Sequence, residues 1–210
     1  MMILALGFVS QILFFTRTLL QWIMSEKAKK VLSPTIYWIL SIIASYLFFI
    51  YGWYRHDFSI LLGQVITYYI YVWNLKENGV WNKINSLFQA LLIITPILGI
   101  GFLLKDFHGF LDNFLRNNSI PLWLVIFGSL GQVIFTLRFI YQWIYSMKKK
   151  ESLLPLGFWI ISLIGSGIIV LYGIIRFDLI LILGQSVGFI AYARNISIYK
   201  KGLIVTYNVE

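Results

Sequence analysis

Apolar runs broken by short polar or charged stretches fill the chain. Seven stand out, at roughly 3–24, 35–54, 58–75, 86–104, 121–145, 156–175 and 179–198. Each approaches the ~20 residues that a helix needs to cross a hydrocarbon layer. The breaks carry turn signals. Ser25-Glu26-Lys27 through Ser33-Pro34 separates the first two runs, and Pro34 suits the first turn of the next helix. Arg55-His56-Asp57 makes a tight second break, and Lys76-Glu77-Asn78-Gly79 ends the third run. Between 105 and 120, Phe110, Leu111, Phe114 and Leu115 oppose Asp112 and Arg116, the pattern of a short helix lying in a membrane interface. The pattern predicts an all-α membrane protein with seven transmembrane helices.

The runs are not independent. Residues 7–74 align without a gap with 128–195 at an offset of 121, and about 26 of the 68 positions are identical. Many shared positions are polar. Gln11, Arg17, Gln21, Ser25, Lys27 and Lys29 return as Gln132, Arg138, Gln142, Ser146, Lys148 and Lys150. Trp38, Ser41, Ser45, Gln64 and Asn74 return as Trp159, Ser162, Ser166, Gln185 and Asn195. This predicts a first three-helix repeat over 1–75, a linker helix and outer loop over 76–120, a second three-helix repeat over 121–198, and a cytoplasmic tail over 199–210. Three helices per repeat and one linker helix bring both repeats in with the same orientation. They are therefore parallel repeats, as in transporters built around a central path.

Composition agrees. Of 210 residues, 60% are hydrophobic and 12% charged, and the mean hydropathy is +0.82. Cysteine is absent, so disulfides and cysteine-based metal sites are excluded. A net charge of +9 would suit nucleic acid, but the lysines sit in short loops between apolar runs, so no nucleic-acid partner is expected. Lys27, Lys29, Lys30, Lys76, Lys83, Lys148, Lys149, Lys150, Arg194, Lys200 and Lys201 fall on one side. Arg55, Lys105, Arg116 and Arg176 fall on the other. The rich side should be cytoplasmic, with the N-terminus outside and the C-terminus inside. The first run lacks a basic leader and contains the repeat's own polar motif, so it reads as a mature helix.

Arg17 and Arg138 lie within helices, where a guanidinium costs at least a few kcal/mol unless paired or wetted. Two readings stand: the side chains snorkel to the inner headgroups, or both face a central cavity and hold an anion such as a phosphate. Gln21 and Gln142, one turn on, would extend such a site. Gln11, Gln132, Gln64 and Gln185 should face the bundle, binding substrate or locking helices. The serines at 41, 45, 162 and 166 have the spacing of close helix packing. Asn74 and Asn195 are read as caps or inner-gate residues, and Trp38 and Trp159 as platforms for a sugar. Trp22, Trp143, Tyr51, Tyr172, Tyr71 and Tyr192 are assigned to interfacial belts. Arg55/Asp57 and Arg176/Asp178 read as salt bridges closing outer turns or as an outer gate. His56 is replaced by Phe177 in the second repeat, and His108 lies in an outer loop. No nucleophile–base pair, deep carboxylate pair, glycine-rich phosphate loop or metal-ligand cluster is evident. The chain is accordingly expected to be no enzyme and to need no cofactor or metal.

The pattern Gln-x5-Arg-x3-Gln-Trp-x2-Ser-x-Lys, then Pro-x3-Trp-x2-Ser, Tyr-Gly-x2-Arg-x-Asp and Gly-Gln, resembles the lipid A biosynthesis N-terminal domain family over both repeats. That domain occurs alone, duplicated, and fused to lipid A-disaccharide synthase or other glycosyltransferases. The three-one-three layout also looks like the PQ-loop superfamily with its SWEET sugar transporters, although Ser10 and Gly131 stand where its proline would. The resemblance implies a bacterial inner-membrane transporter or flippase for a lipid-linked sugar, such as a polyprenyl-phosphate monosaccharide, with Arg17 and Arg138 on its phosphate. A SWEET-like carrier of a soluble sugar and a membrane scaffold for a glycosyltransferase are the alternatives.

Overall fold

The computed structural model of the protein describes residues 2–54, 58–105, 122–175, 177 and 179–207. Among these the chain is all-helical: α1 (Met2–Ala28), α2 (Thr35–Tyr54), α3 (Phe58–Glu77), a 3-10 turn (Trp81–Lys83), α4 (Ser86–Lys105), α5 (Leu122–Lys149), α6 (Leu156–Ile175) and α7 (Leu179–Tyr207). Among the described residues, three helical stretches are long and apolar enough to cross a membrane: Ala5–Ala28, Thr35–Tyr54 and Leu156–Ile175. The more polar α3, α5 and α7 turn Asn74, Arg138, Gln142 and Asn195 inward. Large apolar side chains such as Phe8, Leu87, Leu98 and Ile190 line the outside instead. Polar groups inside and hydrocarbon outside reverse the order that water imposes and suit lipid.

Three helices differ from the lengths expected; α5, read over 121–145, continues to Lys149. α1 continues to Ala28 because Ser25-Glu26-Lys27 marks only the end of apolarity. α7, read over 179–198, continues to Tyr207, so the helix extends into the segment assigned to the tail. α1 and α5 both stop at a lysine in the left-handed region, Lys29 at φ 54° and Lys150 at φ 53°. The Arg55/Asp57 and Arg176/Asp178 pairs, His56, His108 and the 106–120 part of the interfacial segment lie outside the described residues.

Six helices close into a ring. α1 packs on α2 and α2 on α3, and likewise α5 on α6 and α6 on α7; α3 meets α5, and α7 meets α1. Glycine permits the closest approach. A Cβ on Gly165 of α6 would stand 2.8 Å from the backbone N and Cα of Phe135 on α5. Gly7 and Gly128 seat the rings of Tyr51 and Tyr172 at equivalent positions. α4 lies against the first repeat. Pro96 has no N–H for the carbonyl of Leu92, and Tyr68 of α3 donates its hydroxyl to that oxygen at 2.9 Å. Tyr69 donates to the carbonyl of Ile93 at 3.0 Å.

Candidate functional site

At the lysine-rich end the two repeats are joined by crossed amide pairs. Gln21 of α1 donates Nε2 to Oδ1 of Asn195 on α7 at 3.0 Å, and Asn195 returns Nδ2 to Gln21 Oε1 at 3.1 Å. On the other side of the ring, Gln142 of α5 and Asn74 of α3 exchange the same two bonds at 2.8 and 3.1 Å. Each pair takes one residue from each repeat, and all four side chains are fully buried. The glutamines also hold the loops that follow their own helices. Gln21 Nε2 reaches Ser25 Oγ and the carbonyl of Leu32, and Leu32 N–H donates to Ser25 Oγ. Gln142, Ser146 and Leu153 repeat this arrangement. The Gln-x3-Ser spacing places both side chains on one helix face, where they satisfy a loop backbone that would otherwise be buried without partners.

The two loops meet at the centre, where Ser33 Oγ lies 2.9 Å from Ser152 Oγ. Trp38 Nε1 donates to Ser33, and Ser152 donates to Asn74 Oδ1. The chain is one-sided, because Leu154 and Val31 occupy the equivalent positions across the ring. On that side Trp159 Nε1 is buried without a partner. Outside the ring, Arg194 of α7 donates Nε to Glu26 Oε2 of α1 at 2.9 Å.

One turn deeper lie the arginines. Arg17 and Arg138 are 4% and 3% exposed, so neither side chain reaches the surface of the bundle. Arg17 Nη1 donates to Ser41 Oγ, and Arg138 Nη1 to the Tyr192 hydroxyl at 3.1 Å. The remaining contacts are aromatic. Arg17 Cζ lies 4.5 Å from the Phe14 ring centroid, 4.9 Å from Tyr37 and 5.3 Å from Tyr71. Arg138 Cζ lies 3.4 Å from Phe135 and 5.5 Å from both Phe158 and Tyr192. Both guanidiniums touch Phe139, at 5.4 and 4.6 Å from its centroid, so their carbons are within about 10 Å of each other. Each such cation–π contact is worth roughly 0.5–2 kcal/mol. Burying an uncompensated charge costs several.

No carboxylate offsets them among the described residues. Glu26, Glu77 and Glu151 are all exposed. Among the described residues, the buried side-chain polar atoms left without a partner are all nitrogens that carry protons: Arg17 Nε, Arg138 Nε, Trp159 Nε1, Trp143 Nε1 and Asn78 Nδ2. Among the described residues the interior therefore has positive charge and spare donors without matching spare acceptors.

The other predicted residues are dispersed. Gln64 accepts from Ser45 Oγ at 2.9 Å, which ties α3 to α2. Gln11, Gln132 and Gln185 are half-buried, and Gln11 lies beside Gly184 of α7. Asn74 and Asn195 neither cap their helices nor stand free, since their amides are committed to the glutamines. Trp38 and Trp159 are fully buried. Each stands edge-on to its preceding ring, Tyr37 or Phe158, and tilted on Tyr71 or Tyr192. Tyr71 and Tyr192 leave the interfacial belt expected of them and wall the arginine centre. The helical face was the available signal: each lies three residues before its asparagine. Ser33, Ser152 and Phe139 gave none, because the other repeat has leucine, valine and threonine there.

Residues 6–76 and 127–197 each match the family described as Lipid A Biosynthesis N-terminal domain. The chain is 29% identical over 204 residues to the lipid-A-disaccharide synthase of Chlamydia pneumoniae, covering 93% of this chain and 33% of the relative. It is 27% identical to that of Chlamydia felis, covering 97% and 34%, and 28% identical to that of Chlamydia abortus, covering 97% and 34%. The chain thus spans about a third of the length of these relatives. No solved structure matches it. The expectation of a non-enzyme is corrected by these relatives, which are enzymes by name. It rested on missing catalytic groups, and their absence from a segment matching one third of a synthase does not set that segment apart from enzymes. With two copies of the domain covering most of its length, the chain belongs to the lipid A biosynthesis N-terminal domain family.

Proposed function

We propose that the protein binds an amphiphilic sugar phosphate of lipid A biosynthesis inside its helical ring and carries it across the membrane. The observation behind this reading is the pair of buried arginines without carboxylate partners among the described residues. Each arises from an equivalent position of one repeat and keeps an unpartnered Nε. A phosphate supplies the negative charge and acceptors that the described interior residues leave unmet, and guanidiniums suit it through parallel N–H donors. Trp159 Nε1 is a further donor for a sugar hydroxyl. In this reading seven helices cross the inner membrane in a three-one-three layout. The N-terminus is outside, and the lysine-rich end is cytoplasmic. A polyprenyl-phosphate monosaccharide belongs to the substrate class. The crossed amide pairs close the lysine-rich end, and the repeats must part there to release cargo inward.

The test is thermal unfolding in detergent against a lipid panel with free sugars as controls, using wild type, Arg17→Gln and Arg138→Gln. A ligand at 100 times its Kd stabilises the folded form by about 2.7 kcal/mol. Stabilisation by anionic sugar lipids that is lost in both variants supports the reading. A response to free sugar alone, or an anionic-lipid response unchanged by the substitutions, refutes it.

A second reading follows from the relatives' extra length. The exposed Lys148, Lys149 and Lys150 face would dock a glycosyltransferase, with this chain as its membrane scaffold. Co-purification of such an enzyme that is lost on Lys→Glu changes there would favour it.

A further inference from the structure

We propose that the group held at the arginine centre is a dianionic phosphate, gripped by Arg17 and Arg138 together across the two repeats. This deepens the phosphate-binding reading above and rests on it. The argument is one of charge. A guanidinium does not lose its proton in a protein, so the closed ring holds two fixed positive charges. The carboxylates among the described residues are exposed and far from neutralising them. One negative charge would leave one cation uncompensated in the interior, at a cost of several kcal/mol. Two charges close the balance. A phosphate monoester and a diphosphate diester each carry two; a simple phosphodiester, a polyprenyl-phosphate monosaccharide included, carries one, so the inference narrows the substrate class to the first two.

The geometry allows one group to serve both arginines. Two bidentate N–H···O contacts of about 2.8 Å on a single phosphate place the guanidinium carbons roughly 8 Å apart. The shared contact with Phe139 keeps them within about 10 Å. Each guanidinium gives Nη1 to its own repeat, to Ser41 or to Tyr192, and each has an Nε left over. Phe139 has no counterpart in the first repeat, where Thr18 turns its hydroxyl back to the carbonyl of Phe14. Phe139 is thus a ring that both cations contact.

The prediction is readable through pH. A phosphate monoester gains its second charge near pH 6. The described polar side chains facing the two arginines are Ser41 and the phenols of Tyr37, Tyr71 and Tyr192, with no histidine or carboxylate among them. Binding of monododecyl phosphate, didodecyl phosphate and P1,P2-didodecyl diphosphate to the full chain in neutral detergent should be compared at pH 5 and pH 8. Monododecyl phosphate should bind about tenfold tighter at pH 8 than at pH 5. The diphosphate diester should bind tightly at both values. Didodecyl phosphate should bind at least tenfold more weakly than either at pH 8, without pH dependence. A preference for one dianion over the other identifies which kind the centre accepts.

Arg17→Gln or Arg138→Gln should bring the monoester and diester to similar affinity and flatten the pH response. Arg17→Lys restores the charge and should restore both, and its melting curve reports folding independently. Equal binding of monoester and diester by wild type overturns the dianion while sparing anion binding. Binding of none of the three probes overturns both.

Discussion

Replacing Asn195 by leucine, which branches at the same carbon, tests whether the crossed amides hold the repeats together. The substitution removes two reciprocal bonds to Gln21, at 3.0 and 3.1 Å. Side-chain bonds between membrane helices average about 0.6 kcal/mol and reach about 1.7. The lost pair therefore accounts for about 1–2 kcal/mol. Gln21 Oε1 is also left in the interior without a donor, which adds roughly 1–3 kcal/mol. Asn195→Leu should cost about 2–5 kcal/mol in total. Asn74→Leu should cost more, since Asn74 also accepts from Ser152 at 2.8 Å. Reversible unfolding in mixed micelles, run as a cycle with Gln21→Leu and the double variant, isolates the pair. A coupling energy of about 1–2 kcal/mol is expected. A coupling within about 0.3 kcal/mol of zero would mean that the amides find other partners, and the clamp reasoning fails.

Three further outcomes follow from the packing. Gly165→Ala drives a methyl against the Phe135 backbone, which has little room to yield, and should cost about 1–3 kcal/mol by thermal unfolding. Lys29→Gly or Lys150→Gly relieves a left-handed backbone and should raise stability by up to about 1 kcal/mol in the same assay; a loss would contradict the assigned strain. Tyr68→Phe strands the Leu92 carbonyl that Pro96 leaves open and should cost about 1–2 kcal/mol, with faster hydrogen exchange in α4.

Much of the fold is legible in the chain. The Thr35–Tyr54 and Leu156–Ile175 helices coincide with apolar runs, because hydrophobicity and helix length end together there. Where they part, as at Ala28 and Tyr207, hydropathy marks the limit of the apolar stretch and not the last helical turn. The repeat also flags Arg17, Gln21, Asn74 and their copies as unusual. It does not reveal that Gln21 pairs with Asn195 rather than with Asn74. Identity at equal offset says which residues play equal parts, while their partners depend on how the ring closes. That closure brings together residues 174 apart in the chain. The aromatic walls were obscured for another reason: a tyrosine suits a lipid interface and a cation's surroundings equally well.

The crossed amides bear on how such a chain arises. Each repeat carries one glutamine and one asparagine of this kind, and neither finds its mate at home. A single repeat on its own would bury two amides with their mutual bonds unmade. Two identical copies meeting head to head would satisfy both at once. The present polypeptide thus has the pairing symmetry of a homodimer within one chain. Expressed as two separate halves, it should reassemble by complementation in trans. Joining the copies also released them from having to match. A serine beside Trp38 and a leucine beside Trp159, or a threonine opposite Phe139, cannot coexist in a true homodimer. They record divergence that became possible once the two halves were inherited together.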